Sequence, residues 1–356
     1  MKIYNFSAGP ALLPPPVMQQ AQAEFLDYKG TGMSLMEVSH RSDIFQDVID
    51  RAKASLIQLM EIPEDYEVLF VQGGASQQFG MIPLNLFRKK KAAYIDTGSW
   101  STKAIAEAER YGSVAVLASS KDQNFTYIPE WEDAQIPQDA DYLHITTNNT
   151  IFGTRFSRLP HSPIPLVADM SSNILSERYD VSQFGVIYAG AQKNIGPSGV
   201  TIIIIRKDLI GHALAICPKM LNYQTHAEKG SMFNTPPTYA IYMAGLVFDW
   251  TLAQGGVAQM EKRNQEKAHL LYDYLDSSPH FQATVSDPHR SRMNICFSLP
   301  SKEQDQQFLA FAEKEGLRFL KGHRSVGGMR ASLYNPMPIE GVQRLVEVME
   351  AFESGL

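Results

Sequence analysis

Lys193 lies in Tyr188-Ala189-Gly190-Ala191-Gln192-Lys193-Asn194-Ile195-Gly196-Pro197-Ser198-Gly199, between two apolar runs. Gly185-Val186-Ile187-Tyr188 reads as a buried strand and Val200 to Ile205 as another, and small residues crowd the lysine on both sides. An amine in such surroundings is no solvated surface charge. Freed of its proton it attacks carbonyls, and Schiff-base chemistry is the reason to place one there. The matching half lies upstream, where the apolar strand Ile164-Pro165-Leu166-Val167-Ala168 ends in a single carboxylate, Asp169. A strand-end Asp followed by such a Lys is what a pyridoxal phosphate site requires. The lysine holds the aldehyde, and the carboxylate keeps the pyridine nitrogen protonated so that the ring serves as an electron sink.

Other residues fit around this pair. Gly73-Gly74-Ala75-Ser76 follows the strand Glu67 to Val71 and precedes a helix. Glycines let a backbone approach an anion, and a helix N-terminus offers free N–H donors, so a phosphate is the natural occupant. Alone, two glycines more often make only a tight turn; beside Lys193 and Asp169 the phosphate reading prevails. No Gly-x-Gly-x-x-Gly fingerprint supports a nicotinamide dinucleotide. Trp100 follows Asp96-Thr97-Gly98-Ser99 just past a strand, where an indole stacks on a flat ring or fills the core. His40-Arg41, His323-Arg324 and Arg330 suit a substrate with several negative charges, because arginine presents a planar fork of donors. Each taken singly reads as a surface residue. Gly322, Gly327 and Gly328 mark the second pair as part of a loop, where binding residues gather.

Composition narrows the class. Hydrophobic residues make up 44% and charged residues 20% of 356 residues, which fits a globular enzyme with one large and one smaller domain. A net charge of −6 argues against a nucleic-acid binder. The basic run Arg88-Lys89-Lys90-Lys91 sits between a helix pattern and a strand and reads as a solvated turn. The first residues lack the apolar core of a signal peptide, and Val200 to Ile205 is too short to span a bilayer. Cys217 and Cys296 make neither a disulfide framework nor a metal cluster; no metal is expected, and reduced thiols point to a cytoplasmic location.

The elements that must position these residues follow from periodicity. Helical spacing appears over 17–26, 44–60, 77–86 and 101–111, with Ser101 as an N-cap for the last. Strand-like runs recur at 67–71, 92–95, 114–117, 142–145, 165–168, 186–189 and 200–205. This alternation predicts an α/β fold, a mostly parallel sheet with helices on its faces. A second unit begins near Gly255-Gly256. It carries a long helix over 257–275, a strand over 293–298, a helix over 301–315, strands over 317–321 and 329–333, and a last helix over 338–353. The expected division is a large domain over 16–256 and a small α+β domain over 257–356, joined by the N-terminal segment 1–15.

Taken together, the motifs resemble one family nearly end to end. They are Asn5-Phe6-Ser7-Ala8-Gly9-Pro10, Ser39-His40-Arg41-Ser42, Gln72-Gly73-Gly74-Ala75-Ser76, Gly98-Ser99-Trp100-Ser101, Ala168-Asp169-Met170-Ser171-Ser172, Ala189-Gly190-Ala191-Gln192-Lys193-Asn194, Asn234-Thr235-Pro236-Pro237 and Gly328-Met329-Arg330-Ala331-Ser332. The chain resembles the phosphoserine aminotransferases, class-V members of the fold-type-I pyridoxal phosphate enzymes. The resemblance implies that Lys193 carries the cofactor, Asp169 pairs with its ring nitrogen, Trp100 stacks on the ring and Thr150 contacts it. Ala75, Ser76 and Gln192 would hold its phosphate. Asn234 and Thr235 would reach that phosphate from the neighbouring subunit of a homodimer with active sites at the interface. Arg330 would bind the substrate α-carboxylate, and His40, Arg41, His323 and Arg324 the distal phosphate or carboxylate. Some family members carry arginine where this chain has Ser76, so one cation near the distal group is missing here.

The implied reaction is reversible amino transfer between L-glutamate and 3-phosphohydroxypyruvate, giving 2-oxoglutarate and O-phospho-L-serine. This is a step of serine biosynthesis; pyridoxine biosynthesis through 4-phosphohydroxy-L-threonine stays open as a second use. Two class-V alternatives are a cysteine desulfurase and an aminotransferase for glyoxylate. A desulfurase needs a nucleophilic cysteine on a mobile loop, whereas Cys296 sits in an apolar strand and Cys217 beside Pro218. A scaffold without catalysis is disfavoured by the presence of both Lys193 and Asp169.

Overall fold

The computed structural model describes residues 2–355. The chain begins with strand β1 (Tyr4–Asn5), helix α1 (Pro15–Ala23) and helix α2 (Asp43–Met60). Phe45, Val48, Ile49, Ala52, Leu56 and Leu59 line the buried face of α2, and the Ser42 side chain caps it by accepting from the Phe45 N–H. Then β2 (Tyr66–Val71), α3 (Gly74–Leu86), β3 (Lys91–Asp96), α4 (Ser99–Ala108) and β4 (Ser113–Ser119) alternate. Four strands follow: β5 (Leu143–Thr146), β6 (Leu166–Asp169), β7 (Val186–Gly190) and β8 (Thr201–Arg206). Helices α5 (Tyr223–Glu228) and α6 (Thr238–Ala253) come next.

These strands build a 7-stranded sheet in the order β2-β8-β7-β6-β5-β3-β4. Strand β8 alone runs antiparallel to its neighbours, β2 and β7; the other pairs are parallel. The sheet is covered on both faces, which is why β6, β7 and β8 are runs of buried apolar residues rather than alternating ones. One face packs on α1, α2 and α6 through Val48, Ala52, Ile187, Ile204, Ala244 and Phe248. The other packs on α3 and α4 through Phe79, Ile82, Ile105, Tyr188 and Ile203.

The rest of the chain comprises α7 (Gly256–Ser277), β9 (Gln282–Ala283), β10 (Asn294–Ser298), α8 (Lys302–Lys314), β11 (Leu317–Arg318), β12 (Met329–Ser332) and α9 (Ile339–Glu353). β12, β10 and β9 form an antiparallel sheet, and β1 pairs with β11. A separate apolar core joins Tyr4 and Phe6 to Leu271, Phe297, Phe308, Leu333 and Leu345.

One local expectation changes, and one helix was not expected at all. The helix expected from Ser101 starts at Ser99, with Gly98 as the N-cap. Ser101 still caps it, from inside the first turn, where its Oγ accepts from the N–H groups of Thr97 and Gly98 at 2.9 and 3.0 Å. Helix α6 carries no periodic signal, because it is apolar on nearly every side and packs between α1, α2 and α7. Its Gly245 meets α2 so closely that an added Cβ would stand 3.2 Å from the Ala52 Cβ. Gly245→Leu should therefore push the helices apart and lower the unfolding free energy by about 1–3 kcal/mol. The midpoint of urea denaturation reads this directly, and an unchanged midpoint would mean that the crossing has slack.

Candidate active site

The parallel strands all present their carboxyl ends to the same edge of the sheet, and the order reverses around β3, whose neighbours are β4 and β5. Ligands of open α/β sheets lie at such an edge. Five of the six strand ends there lead into a residue singled out above. β2 leads into Gly73-Gly74-Ala75-Ser76, β3 into Trp100, β5 into Thr150, β6 ends in Asp169, and β7 leads into Gln192 and Lys193.

Lys193 donates from Nζ to the Thr150 Oγ1 at 2.7 Å. The same Nζ stands 5.8 Å from the centroid of the Trp100 ring. Thr150 is also held from above, where Arg330 on β12 donates from Nη1 to its carbonyl at 3.0 Å. Loss of water contact is the main cause that pushes the Lys193 amine down, to about 8; the Arg330 charge adds to it and the Asp169 carboxylate opposes it. Asp169 is buried and accepts from the Ser171 N–H at 2.9 Å. Burial pushes its pKa up, against the lowering pull of Lys193 and of Ser171. The N-terminal segment runs alongside: Ala11 donates from its N–H to the Gln192 carbonyl at 2.9 Å. Gly9 has a φ of +137°, and a Cβ there would sit 3.3 Å from the Lys193 Cγ, so this position is reserved for glycine.

At the start of α3, Gly73 has φ +93° and a Cβ on it would overlap the Gln77 side chain at 1.7 Å. Ala75 and Ser76 follow in the first turn, whose N–H groups have no partner within the helix. His323 accepts or donates through Nδ1 with the Ser325 Oγ at 2.7 Å. Its pKa is held down, first by loss of water contact and then by the charges of Arg330, Arg324 and Lys103. The buried Nε atom of Arg330, the Nε1 atom of Trp100 and the Nε2 atom of His40 have no hydrogen-bond partner.

The structure thus brings together Lys193 and its neighbour Gln192 with Asp169, Trp100, Thr150 and Arg330, and places His323 within reach of the Arg330 charge, while Arg324 beside it is exposed. His40 and Arg41 lie in the turn before α2. Asn234 and Thr235 are exposed ahead of α6, in a cleft with Gln72 and Gln77 of the same chain, where Gln72 donates from Nε2 to the Thr235 carbonyl at 3.4 Å. Sequence reasoning missed the residues that steady Arg330. Asn148 donates from Nδ2 to Ser172 Oγ and Asn294 Oδ1 at 2.8 and 2.9 Å, and Asn294 donates to Ser332 Oγ at 3.0 Å. Tyr334 closes the chain by donating to the Ala8 carbonyl at 2.8 Å. The polar run Thr146-Thr147-Asn148-Asn149-Thr150 at a strand end was the signal for it.

A family model described as Aminotransferase class-V matches residues 3–345. A phosphoserine aminotransferase of Bacillus cereus is 57% identical over 99% of this chain and 98% of its own length. Among solved structures, a phosphoserine aminotransferase from Bacillus circulans subsp. alkalophilus superposes with a TM-score of 0.96 at 46% identity, covering 99% of both chains. The chain belongs to the phosphoserine aminotransferase family of class-V aminotransferases. A pyridoxal-phosphate-bound phosphoserine aminotransferase from Trichomonas vaginalis gives a TM-score of 0.94 at 39% identity, over 98% of this chain and all 100% of that one.

As a class-V aminotransferase the chain is an enzyme of amino-group transfer that depends on pyridoxal phosphate. The donor set fits that cofactor. Asp169 is a desolvated carboxylate to which a protonated ring nitrogen would bring the balancing charge, and the first turn of α3 offers unpaired N–H groups to a phosphate. Among the described residues no cluster of His, Cys, Asp and Glu could hold a metal ion, and no helix is long and apolar enough to cross a membrane.

A pH effect follows from the depressed Lys193. In protein freed of small molecules, Lys193 loses its proton near pH 8 when folded and near 10.5 when unfolded. Between those values the unfolded chain binds the extra proton, so stability rises with pH across that window. Unfolding free energies of wild type and Lys193→Met, measured from pH 7 to 10, should move apart in favour of wild type. Parallel curves would mean that the amine is not desolvated.

Proposed function

We propose that this aminotransferase exchanges an amino group between L-glutamate and 3-phosphohydroxypyruvate, giving 2-oxoglutarate and O-phospho-L-serine. The observation that carries the reading is the positive charge of Arg330 beside Lys193. The charge of Arg330 acts on the amine of Lys193 and, together with that of Arg324, on His323, and Arg330 keeps a buried Nε without a partner. Such a site suits substrates anionic at both ends. The relatives named for phosphoserine, matched over nearly their whole length, support the same choice.

When bound, pyridoxal phosphate supplies the aldehyde that holds the amino group and the ring that takes up electrons from the substrate α-carbon. Lys193 acts as the proton carrier. Its amine, pushed down to about 8, is neutral in a useful fraction of molecules, and Nζ is the atom on which the α-proton rides between removal and return. Thr150 fixes the direction of that amine. Asp169 would hold positive charge at the ring nitrogen, and its burial would keep that pairing strong. Trp100 would lie against the ring, and Ala75, Ser76 and Gln192 would hold the phosphate. Arg330 grips the α-carboxylate with a guanidinium whose orientation is set by the Thr150 carbonyl. His40, Arg41, His323 and Arg324 take the distal anion.

The reading includes a homodimer in which Asn234 and Thr235, exposed on the single chain, reach the phosphate of the partner's site. It also includes two domains, 16–256 and 257–356 with the segment 1–15 as their link. The separate apolar core that unites Tyr4 and Phe6 with the C-terminal elements supports this division. Free Cys217 and Cys296 agree with a cytoplasmic location.

Two experiments test the reading. Borohydride reduction of the cofactor-loaded protein, followed by peptide mapping, should find the cofactor mass on Lys193; any other lysine would end the assignment. Substrate dependence separates the arginines. Arg330→Ala should cost about 2–5 kcal/mol in kcat/KM for every amino acid, since all carry the α-carboxylate. Arg41→Ala should weaken phosphoserine and glutamate far more than alanine, and equal losses on all three would remove Arg41 from the distal site.

A further inference from the structure

Helix α4 brings a second cation to the Trp100 indole. Lys103, one helical turn past Trp100, puts its Nζ 4.6 Å from the ring centroid, while Lys193 Nζ lies 5.8 Å from the same ring. Side chains of a helix lean toward its N-terminus. Helix α4 begins at the site, so this lean carries Lys103 toward the reacting groups. One turn further along stands Glu107, at a spacing where a lysine and a carboxylate can meet. Glu107 instead lies 3.9 Å from Arg110. Among the described residues Lys103 enters no salt bridge; its close contact is the indole.

The charge of Lys103 bears on the loop across the site. It is one of three cations, with Arg330 and Arg324, that act on His323, and no carboxylate is among the groups acting there. Positive charge from α4 and from the segment that holds His323, Arg324 and Arg330 thus bears on the same imidazole. Repulsion among unpaired cations is tolerated where an anion binds.

We propose that Lys103 is a substrate-binding residue, whose ammonium, resting over Trp100, joins Arg330, Arg324 and the neutral imidazole of His323 in taking the distal anion of the bound amino or 2-oxo acid. The proposal rests on the substrate pair given above. That pair presents a tetrahedral phosphate in one half-reaction and a planar carboxylate in the other. A guanidinium fork matches a planar partner best, whereas an ammonium on a flexible stem follows either shape. Lys103 is exposed on the surface of α4, so its replacement does not disturb the core.

Lys103→Met removes the charge and keeps the length. The ratio of kcat/KM for glutamate to that for alanine should fall roughly fivefold, in line with the loss of one partly solvated charge contact, and Lys103→Arg should restore most of it. If Lys103 served only to hold the indole, glutamate and alanine would lose alike, which would overturn the proposal. Calorimetric titration with 2-oxoglutarate reads the contact without turnover. Its Kd should rise by a similar factor in Lys103→Met, and a Kd unchanged from wild type would overturn the proposal. Wild-type protein inactive on phosphoserine would instead sink the substrate pair, while a shifted Kd would still uphold Lys103 as an anion-binding residue.

Discussion

An ammonium taken out of water must find negative charge nearby or give up its proton. Lys193 is placed where neither demand is fully met. Its carboxylate neighbour, Asp169, is itself desolvated, and Arg330 opposes the lysine with a like charge. The amine is pushed toward neutrality and the carboxylate toward protonation. Each would be relieved by a group that brings a positive ring nitrogen to Asp169 and a carbonyl to Lys193. The reactivity of the site comes from this mutual incompleteness, which the surrounding structure has to maintain.

Much of the fold does that work. The apolar strands β6 and β7 bring Asp169 and Lys193 to one sheet edge. A buried polar chain fixes the C-terminal elements to that edge: Asn335 donates its N–H to the Asn194 side chain at 2.9 Å and its Nδ2 to the Leu175 carbonyl at 2.8 Å, and Asn264 donates to the Asn335 Oδ1 at 2.8 Å. Lys267, also buried, donates to the carbonyls of Leu333 and Tyr334 at 2.9 and 2.8 Å, just beyond the strand that carries Arg330. Polar groups in such surroundings are directional, so the guanidinium of Arg330 meets Thr150 in a set orientation rather than somewhere near it.

The sheet strands and the Lys193–Asp169 pair could be read from residues alone, because a parallel sheet writes itself as apolar runs and a charged residue interrupting such a run stands out. The helices with one buried face, such as α2 and α9, were equally visible. Helix α6 was not, since burial on nearly all sides erases the contrast on which periodicity depends. Lys103 and the Asn148–Asn294 link were invisible for another reason. Each acquires meaning only when residues distant in sequence meet, as Asn148 meets Asn294 and the charge of Lys103 reaches His323. Asn234 and Thr235 were marked by resemblance alone, since nothing in an exposed Asn-Thr pair ahead of a helix sets it apart as a sequence.

The placement of α6 has a bearing on how the chain comes to be made. Its apolar surface closes the side of the sheet on which α1 and α2 lie, yet it is synthesised after every strand of that sheet. A nascent chain that has emerged only as far as β8 therefore has a complete set of strands with one flank uncovered. That intermediate exposes Ile187, Ile204 and their neighbours to solvent and to other nascent chains. The span between the emergence of β8 and of α6 is thus the interval in which the polypeptide most needs shelter from aggregation, whatever the stability of the finished enzyme.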